Sequence, residues 1–293
     1  MKTHANPSPL FQRLLSGTAV LAALCALSIS TAQAEVVAYD SIDYAVGPLD
    51  GQNGGSGWYQ PWIGKNNKAS NTSVSDEAIS YSADGITRGG GNTIKIESTV
   101  SDKNDGNHNA LIRDVYARTS PDVQGGKDYY VSFIAKAVGG PDGKSVGTFF
   151  FALQARDVKP VSDQDTVGFL GLAGFAGARV NKQDAFIANS KNNKTSNKWG
   201  DTYFIVVKYS GWNATAKCYE TATLWRNPTA KPEGQQSSTS SATITVPGKG
   251  SDGFRGIQAR VYFSQSTSGS YYLLDDFIVS TDWDSAVGTM PGQ

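Results

Sequence analysis

The chain has 293 residues, and its 26 basic residues are balanced by 26 acidic ones. This neutral balance argues against a nucleic-acid-binding protein, because such proteins need an excess of positive charge. Beyond its N-terminal segment, the chain has a length that all-β sandwiches reach as a single domain.

The first 34 residues have the pattern of an export signal. Two basic residues precede an apolar run at 14–29, and Ala-Gln-Ala at 32–34 is a typical cleavage site. The apolar run is shorter than the roughly 20 residues of a spanning helix. We therefore expect a signal peptide over 1–34, a mature chain from Glu35 without a membrane span, and a periplasmic or extracellular location.

Twelve short segments after residue 77 have the composition of β-strands, because they are rich in Val, Ile, Thr, Tyr and Phe and often alternate in polarity. They cover 78–81, 92–100, 110–117, 128–138, 147–158, 166–175, 184–190, 201–210, 218–227, 241–248, 254–264 and 270–283. Polar turn sequences separate them, and no helix of ten or more residues is indicated. The pattern predicts an all-β fold: a two-sheet antiparallel sandwich that forms one domain over 35–293.

Few residues of the usual catalytic types follow the signal segment. Cys218 is the one cysteine, so no intrachain disulfide can form. His108 is the one histidine, which excludes a usual zinc set, and its polar surroundings predict a surface loop. Glu220 alternates in phase with apolar positions of its strand, so we expect a buried carboxylate paired with an arginine.

Three segments resemble one family. They are YDSIDYAVGPLDGQNGGSGWYQPW at 39–62, TYFIVVKY at 202–209 followed by LWRNP at 224–228, and YYLLDDFIVSTDWDSAVG at 271–288. They are similar to segments of exported bacterial proteins of the Verrucomicrobia and Planctomycetes type, which carry a concanavalin A-like (LamG-like) jelly-roll domain. The resemblance implies a jelly roll whose N- and C-terminal strands lie side by side. It implies little about activity, because proteins of this architecture include lectins, carbohydrate-binding modules, glycosidases and polysaccharide lyases.

A structural calcium ion is the one cofactor that these motifs suggest. If the terminal strands pair, Asp40 and Asp43 come close to Asp275 and Asp276, and calcium prefers such oxygen ligands. By analogy with jelly rolls that hold calcium, we expect Asp43 and Asp276 to bind it. The alternative is that these carboxylates cap turns or pair with basic residues.

The tryptophans divide into two groups. Trp58, Trp62 and Trp283 belong to the terminal motifs, so we expect them to pack together and to hold the two ends of the chain. Trp199 and Trp212 lie in or near loops, where an indole ring could stack on a ligand.

Polar and aromatic residues occupy the non-core positions of three predicted strands, 147–158, 218–227 and 254–264. If these strands share a sheet, aromatic rings could stack on sugar rings while amides and guanidinium groups bind hydroxyls or carboxylates. The alternative is an ordinary solvated sheet face. The candidate ligand-binding residues are Gln154, Arg156, Gln258, Arg260, Tyr262, Trp225 and Tyr219.

Three functions are compatible with these features. The leading hypothesis is a non-catalytic exported protein that binds a polysaccharide or a cell-surface glycan. The first alternative is a polysaccharide lyase for a uronate-containing polymer, in which Tyr262 would move the proton and Arg156, Arg260 and Gln154 would neutralise the carboxylate. The second alternative is a structural or adhesive envelope protein.

Overall fold

A computed structural model gives the fold. It describes residues 35–64, 70–98, 108–117, 119–120, 125–139, 148–155, 167–171, 175–180, 183–187, 199–250, 253–264 and 269–288. The chain divides into two compact units, Met1–Gln33 and Ala34–Gln293, and every described residue belongs to the second. Within these ranges, no helix is long and apolar enough to span a membrane.

Short strands make up most of the described part. The first nine, in chain order, are β1 (Val36–Asp40), β2 (Gly47–Pro48), β3 (Ile63–Gly64), β4 (Ser70–Ser75), β5 (Ser80–Ala83), β6 (Ile86–Gly89), β7 (Thr93–Ser98), β8 (His108–Asp114) and β9 (Tyr129–Val138). The next nine are β10 (Thr148–Ala155), β11 (Val167–Gly171), β12 (Phe175–Val180), β13 (Gln183–Phe186), β14 (Thr202–Asn213), β15 (Cys218–Arg226), β16 (Ser241–Thr245), β17 (Gly256–Ser264) and β18 (Tyr271–Ser280). The described helices are a 3₁₀ turn (Glu233–Gln235) and α1 (Trp283–Val287).

Two antiparallel sheets contain most of these strands. The larger sheet has the order β16-β15-β14-β9-β18-β7-β4-β2, with β1 paired to β18, and the smaller has the order β13-β12-β11-β10-β17-β8-β3. Apolar side chains from both sheets, among them Phe133, Tyr272 and Val261, are buried in one cluster between them. The predicted all-β, two-sheet antiparallel jelly-roll sandwich is therefore confirmed.

The two ends of the described unit lie side by side, as the resemblance implied. Strand β1 runs antiparallel to β18, with Tyr39 opposite Ile278 and Asp40 opposite Phe277. Apart from this N-terminal strand, the strands before residue 78 were missed by the sequence prediction. Strand β4, for example, reads SNTSVS, and its serines and asparagine are typical of turns rather than strands.

A third layer covers the outer face of the larger sheet. The hairpin β5–β6 and helix α1 enclose a second buried apolar cluster, which includes Tyr130, Phe204, Trp225, Leu273 and Trp283. The ring centroids of Trp225 and Trp283 are 4.9 Å apart, and those of Tyr130 and Trp283 are 6.3 Å apart. This part of the outer face is therefore filled by the protein itself.

The expectation that Trp283 packs with Trp58 and Trp62 is wrong. Trp62 lies between the sheets, with its ring centroid 5.3 Å from that of Phe277 and 5.9 Å from that of Trp58. Trp283 belongs to the outer cluster because it follows the end of β18 and begins α1, where its indole N–H donates to the Lys231 carbonyl (2.8 Å).

Candidate functional site

A buried carboxylate anchors the segment that follows β1. Asp40 is 1% exposed and accepts hydrogen bonds from the Ile42 backbone N–H (2.9 Å), the Tyr44 hydroxyl (2.5 Å) and the Trp62 indole (2.8 Å). It also forms an ion pair with the fully buried Arg113 of β8. These partners compensate for the desolvation of the carboxylate, so Asp40 joins the N-terminal segment to the smaller sheet.

The side chain of Arg113 organises the glycine-rich loop. Its guanidinium group donates to the backbone carbonyls of Gly54 (2.7 Å) and Gln60 (3.3 Å). It also lies over the rings of Trp58, at 4.6 Å from the centroid, and Trp62, at 5.1 Å. The loop therefore wraps around one buried cation, whose charge is neutralised by Asp40.

Two glycines allow this loop to run against β1. Gly55 and Gly57 have φ angles of 68° and 79°, in the left-handed region that favours glycine. A Cβ atom at Gly55 would overlap the carbonyl oxygen of Tyr39, and one at Gly57 would overlap that of Val37. The glycines that make this stretch distinctive in the sequence thus serve close backbone approach.

A polar cavity of about 290 Å³ opens between the start of this segment and the glycine-rich loop. One wall carries Ser41, Asp43 and Tyr44, with Asp40 behind them, and the other wall is formed by 52–55. Burial, and then the neighbouring charge of Asp40, raise the pKa of the Tyr44 hydroxyl to about 12, so this group stays protonated. The segment that fastens the chain ends therefore also encloses a cavity, which the sequence did not indicate.

Two further carboxylates are buried on β18. Asp275 and Asp276 are 0% and 1% exposed. The Asp276 backbone N–H donates to Asp275 Oδ1 (2.8 Å), whereas Asp275 Oδ2 is buried and has no hydrogen-bond partner in the described part of the chain. The Gly89 N–H donates to the Asp276 carboxylate (2.5 Å). Asp276 has a φ of 54°, at an irregularity in the pairing of β18 with β9.

The burial of this pair changes its acidity. Burial and then the charge of Asp276 raise the pKa of Asp275 to about 9, and the charges of Asp43 and Asp40 act in the same direction. Burial also raises the pKa of Asp276, although the Gly89 N–H and the Arg88 guanidinium oppose the rise. The four carboxylates therefore lie within electrostatic range of one another, as the pairing of the end strands predicted.

The same region allows a test of the calcium hypothesis. The unpartnered Asp275 oxygen and the raised pKa values are features that a cation would relieve. Asp43 Oδ1 and the Ser41 carbonyl both border Gly91, so a backbone oxygen is close to that carboxylate. However, no group of three or more His, Cys, Asp or Glu residues is placed to hold a metal ion within the described ranges. Calcium binding by Asp43 and Asp276 stays a prediction.

The structure brings several of the predicted ligand-binding positions together. Strands β10 and β17 are neighbours in the smaller sheet, and Gln154 lies directly opposite Gln258. Gln258, Arg260 and Tyr262 occupy alternate positions of β17, and the latter two lie opposite Ala152 and Phe150 of β10. Gln258 itself is only 5% exposed. Arg156 lies outside the described residues.

The other two predicted ligand residues, Tyr219 and Trp225, do not belong to this surface. Strand β15 is part of the larger sheet, and the order of strands could not be read from the sequence. Tyr219 is fully buried and its hydroxyl donates to the Lys127 carbonyl (2.7 Å), while Trp225 lies in the outer cluster. Near Gly211 (φ 68°), the positions of β14 that face the core shift by one residue along the strand. Tyr219, on the paired strand β15, therefore also faces the core.

Three further expectations are also corrected. Glu220 is partly exposed, and hydrogen bonds from the Gly248 N–H and the Asn213 amide lower its pKa. His108 begins β8 opposite Val261 rather than lying in a loop. Trp199 and Trp212, the candidates for stacking on a ligand, pack against the core of the sandwich.

The described molecule is thus a jelly-roll sandwich with a polar cavity beside its paired end strands. No protein-family model matches the chain, and a search of curated proteins gives no match.

Solved structures with a similar fold include three of different kinds. The botulinum neurotoxin serotype D binding domain is 9% identical with a TM-score of 0.42, over 84% of this chain and 47% of that one. A carbohydrate esterase from Shiga toxin-encoding bacteriophage phi24B is 13% identical with a TM-score of 0.39, over 85% of this chain and 100% of that one. The VIP36 exoplasmic/lumenal domain, in a Ca²⁺/Man3GlcNAc-bound form, is 10% identical with a TM-score of 0.37, over 78% and 86%. The chain thus spans less than half of the toxin domain, and similarity at this level assigns neither a family nor an activity.

Proposed function

We propose that the protein is an exported, lectin-like jelly roll that binds a polysaccharide or a cell-surface glycan on the outer face of its smaller sheet. The observation that carries this proposal is the pairing of β10 with β17. It aligns Gln154 with Gln258, and Arg260 and Tyr262 occupy alternate positions of β17 opposite Ala152 and Phe150. Amide, guanidinium and phenol groups in one row match the hydroxyls, carboxylates and ring faces of a sugar chain.

The architecture favours the smaller sheet over the larger one. Part of the outer face of the larger sheet is covered by the β5–β6 hairpin and α1, which bury Trp225 and Trp283. The space between the sheets is filled by the main core. We therefore assign an extended polymer to the outer face of the smaller sheet rather than to these two filled regions.

Export and calcium form part of the same proposal. The segment 1–34 has the pattern of a cleaved signal, and the motifs of 39–62 and 271–288 resemble exported proteins of the Verrucomicrobia and Planctomycetes type. A structural calcium ion at Asp43 and Asp276 would hold the paired end strands together outside the cell. Its chemical role would be to neutralise carboxylates that the fold buries close to each other.

The polysaccharide lyase is the second candidate, and the same strand pairing favours it. A lyase needs a proton-transfer group beside groups that neutralise a uronate carboxylate. In the β10–β17 register, Tyr262 is two positions from Arg260 along β17, and Gln154 lies on the neighbouring strand. In that case the ligand would be cleaved by β-elimination rather than only bound.

Affinity electrophoresis of the mature chain through gels that contain neutral or anionic polysaccharides tests the proposal. We expect retardation by at least one polymer and its loss in Arg260→Ala. The control is Lys249→Ala, which removes one positive charge from an exposed loop position. Unsaturated product with ultraviolet absorbance would identify the lyase, and Tyr262→Phe should then abolish it. Absence of retardation by every polymer would count against glycan binding and favour a structural or adhesive protein.

A further inference from the structure

We propose that the cavity beside Asp43 is a second binding site, separate from the sheet face, and that it takes one sugar ring without an anionic group. The cavity has a volume of about 290 Å³. This is close to the lower end of the range of about 300–1,000 Å³ for small-molecule sites. It therefore suits one compact ring, such as the end residue of a glycan, rather than several residues of a polymer.

Three side chains that line the cavity each use one polar atom in a hydrogen bond within the protein. Each has a second polar atom. Asp43 Oδ2 accepts from the Ser41 hydroxyl (2.7 Å), which leaves Oδ1. Gln52 Nε2 donates to the Pro48 carbonyl (3.2 Å), which leaves Oε1.

Asn53 follows the same pattern. Its Oδ1 accepts from Arg113 Nη2 (3.4 Å), which leaves Nδ2. The cavity is thus lined by a carboxylate and two amides, each of which the protein holds through one polar atom. Sugar hydroxyls can both donate and accept, so vicinal hydroxyls match such a mixed set better than a purely apolar or purely anionic ligand does.

The two walls of the cavity are tied to each other. Tyr39 and Ser56 exchange two backbone hydrogen bonds, of 3.0 and 2.9 Å. The Gly54 N–H donates to the Tyr44 hydroxyl across the cavity (3.0 Å), and Asn92 Nδ2 donates to the Tyr44 carbonyl (2.7 Å). Because the protein's own groups hold these walls, little conformational freedom is lost on binding.

The local charge selects among sugars. Asp43 is exposed and lines the cavity together with Asp40, so the lining carries two carboxylates. The buried cation Arg113 is neutralised by its ion pair with Asp40. In calcium-free buffer, where no cation neutralises Asp43, a uronate or sulfated ring would be repelled here, whereas a neutral or amino sugar would not. The sheet face, with its arginine position, has the opposite preference.

Isothermal titration of the mature chain with the methyl glycosides of a neutral hexose, a hexosamine and a uronic acid tests this proposal. We expect the neutral and amino glycosides to bind and the uronic acid not to bind. Asp43→Asn should weaken hexosamine binding about tenfold or more, as expected for the loss of a hydrogen bond to a charged group. Asp50→Asn is the matched control, because it removes an exposed carboxylate of the same region that does not line the cavity.

The titrations separate this site from the sheet face and from a metal site. Arg260→Ala should leave monosaccharide binding unchanged even where it abolishes retention by a polysaccharide, so either proposal can fail alone. Thermal unfolding of each variant shows whether it is folded. Binding of none of the three glycosides, equal binding of the uronic acid, or an Asp43→Asn variant that binds like Asp50→Asn would overturn the proposal. Loss of binding in the presence of a calcium chelator would overturn direct recognition by these side chains.

Discussion

Replacing Asp40 by alanine should destabilise the protein more than replacing any other acidic residue of the N-terminal segment. The change leaves the guanidinium of Arg113 buried without its counter-ion, and it removes the acceptor of the Tyr44 hydroxyl and of the Trp62 indole. Arg113 keeps its bonds to the Gly54 and Gln60 carbonyls, which limits the loss.

The magnitude follows from these contacts. Breaking one partner of a buried ion pair costs about 3–5 kcal/mol, because a charge is left uncompensated. For a domain of this size, that corresponds to a fall in Tm of roughly 6–20 °C. Asp40→Asn keeps one acceptor oxygen and should lose less. Asp43→Ala, three residues away and exposed, should lose less than about 0.5 kcal/mol in the presence of a chelator.

Urea unfolding of the mature chain, followed by tryptophan fluorescence, measures these differences. A double-mutant cycle with Arg113→Met adds the coupling energy, which we expect to exceed about 1 kcal/mol because the two groups are in contact. If Asp40→Ala and Asp43→Ala unfolded at the same urea concentration, the assignment of Asp40 as the fastening carboxylate would be wrong.

Four other predictions concern stability. Gly55→Ala should lower the free energy of unfolding by several kcal/mol, because its Cβ would overlap the Tyr39 carbonyl. The Cβ of Gly51→Ala (φ 86°) meets nothing within 4 Å, so backbone strain alone should lower that free energy by about 1–3 kcal/mol. Equal losses in the two variants would refute the overlap. Burial raises the pKa of Asp275 from 3.8 to about 9, so the folded state holds this proton more tightly than the unfolded chain does. The free energy of unfolding should therefore fall as the pH rises between these values in calcium-free buffer, and Asp275→Asn should flatten that profile; a profile of unchanged slope would contradict it. Trp225→Ala should lower the free energy of unfolding by about 3–5 kcal/mol and leave glycan binding intact, because Trp225 is buried in the outer cluster. A variant of unchanged stability that no longer binds glycan would contradict this. Calcium should raise the Tm of the wild type but not of Asp276→Asn, and an equal rise in both would exclude this site.

The fold class was predictable because its signal is repeated along the chain. Alternating patterns such as that of 254–264 recur between polar turns, and each one marks a strand with one buried face. The pairing of the end strands was predictable from motifs at both ends. Strand β4 was not, because its burial is imposed by its neighbours β7 and β2 rather than by its own composition.

The candidate site was predictable only in part, because it depends on which strands are neighbours. Gln154 and Gln258 lie on neighbouring strands, opposite each other, but Tyr219 and Trp225 belong to the other sheet. Alternation gives the face of a residue within its strand and says nothing about the order of the strands. The cavity was missed for a related reason, since the interaction of Arg113 with the glycine-rich loop joins segments about 60 residues apart.

The central claim is that the smaller sheet binds a glycan. Affinity electrophoresis of wild type, Arg260→Ala and Lys249→Ala against one panel of polysaccharides tests it most directly. The account predicts that at least one polymer retards the wild type and Lys249→Ala but not Arg260→Ala. Equal migration of all three proteins with every polymer would contradict it.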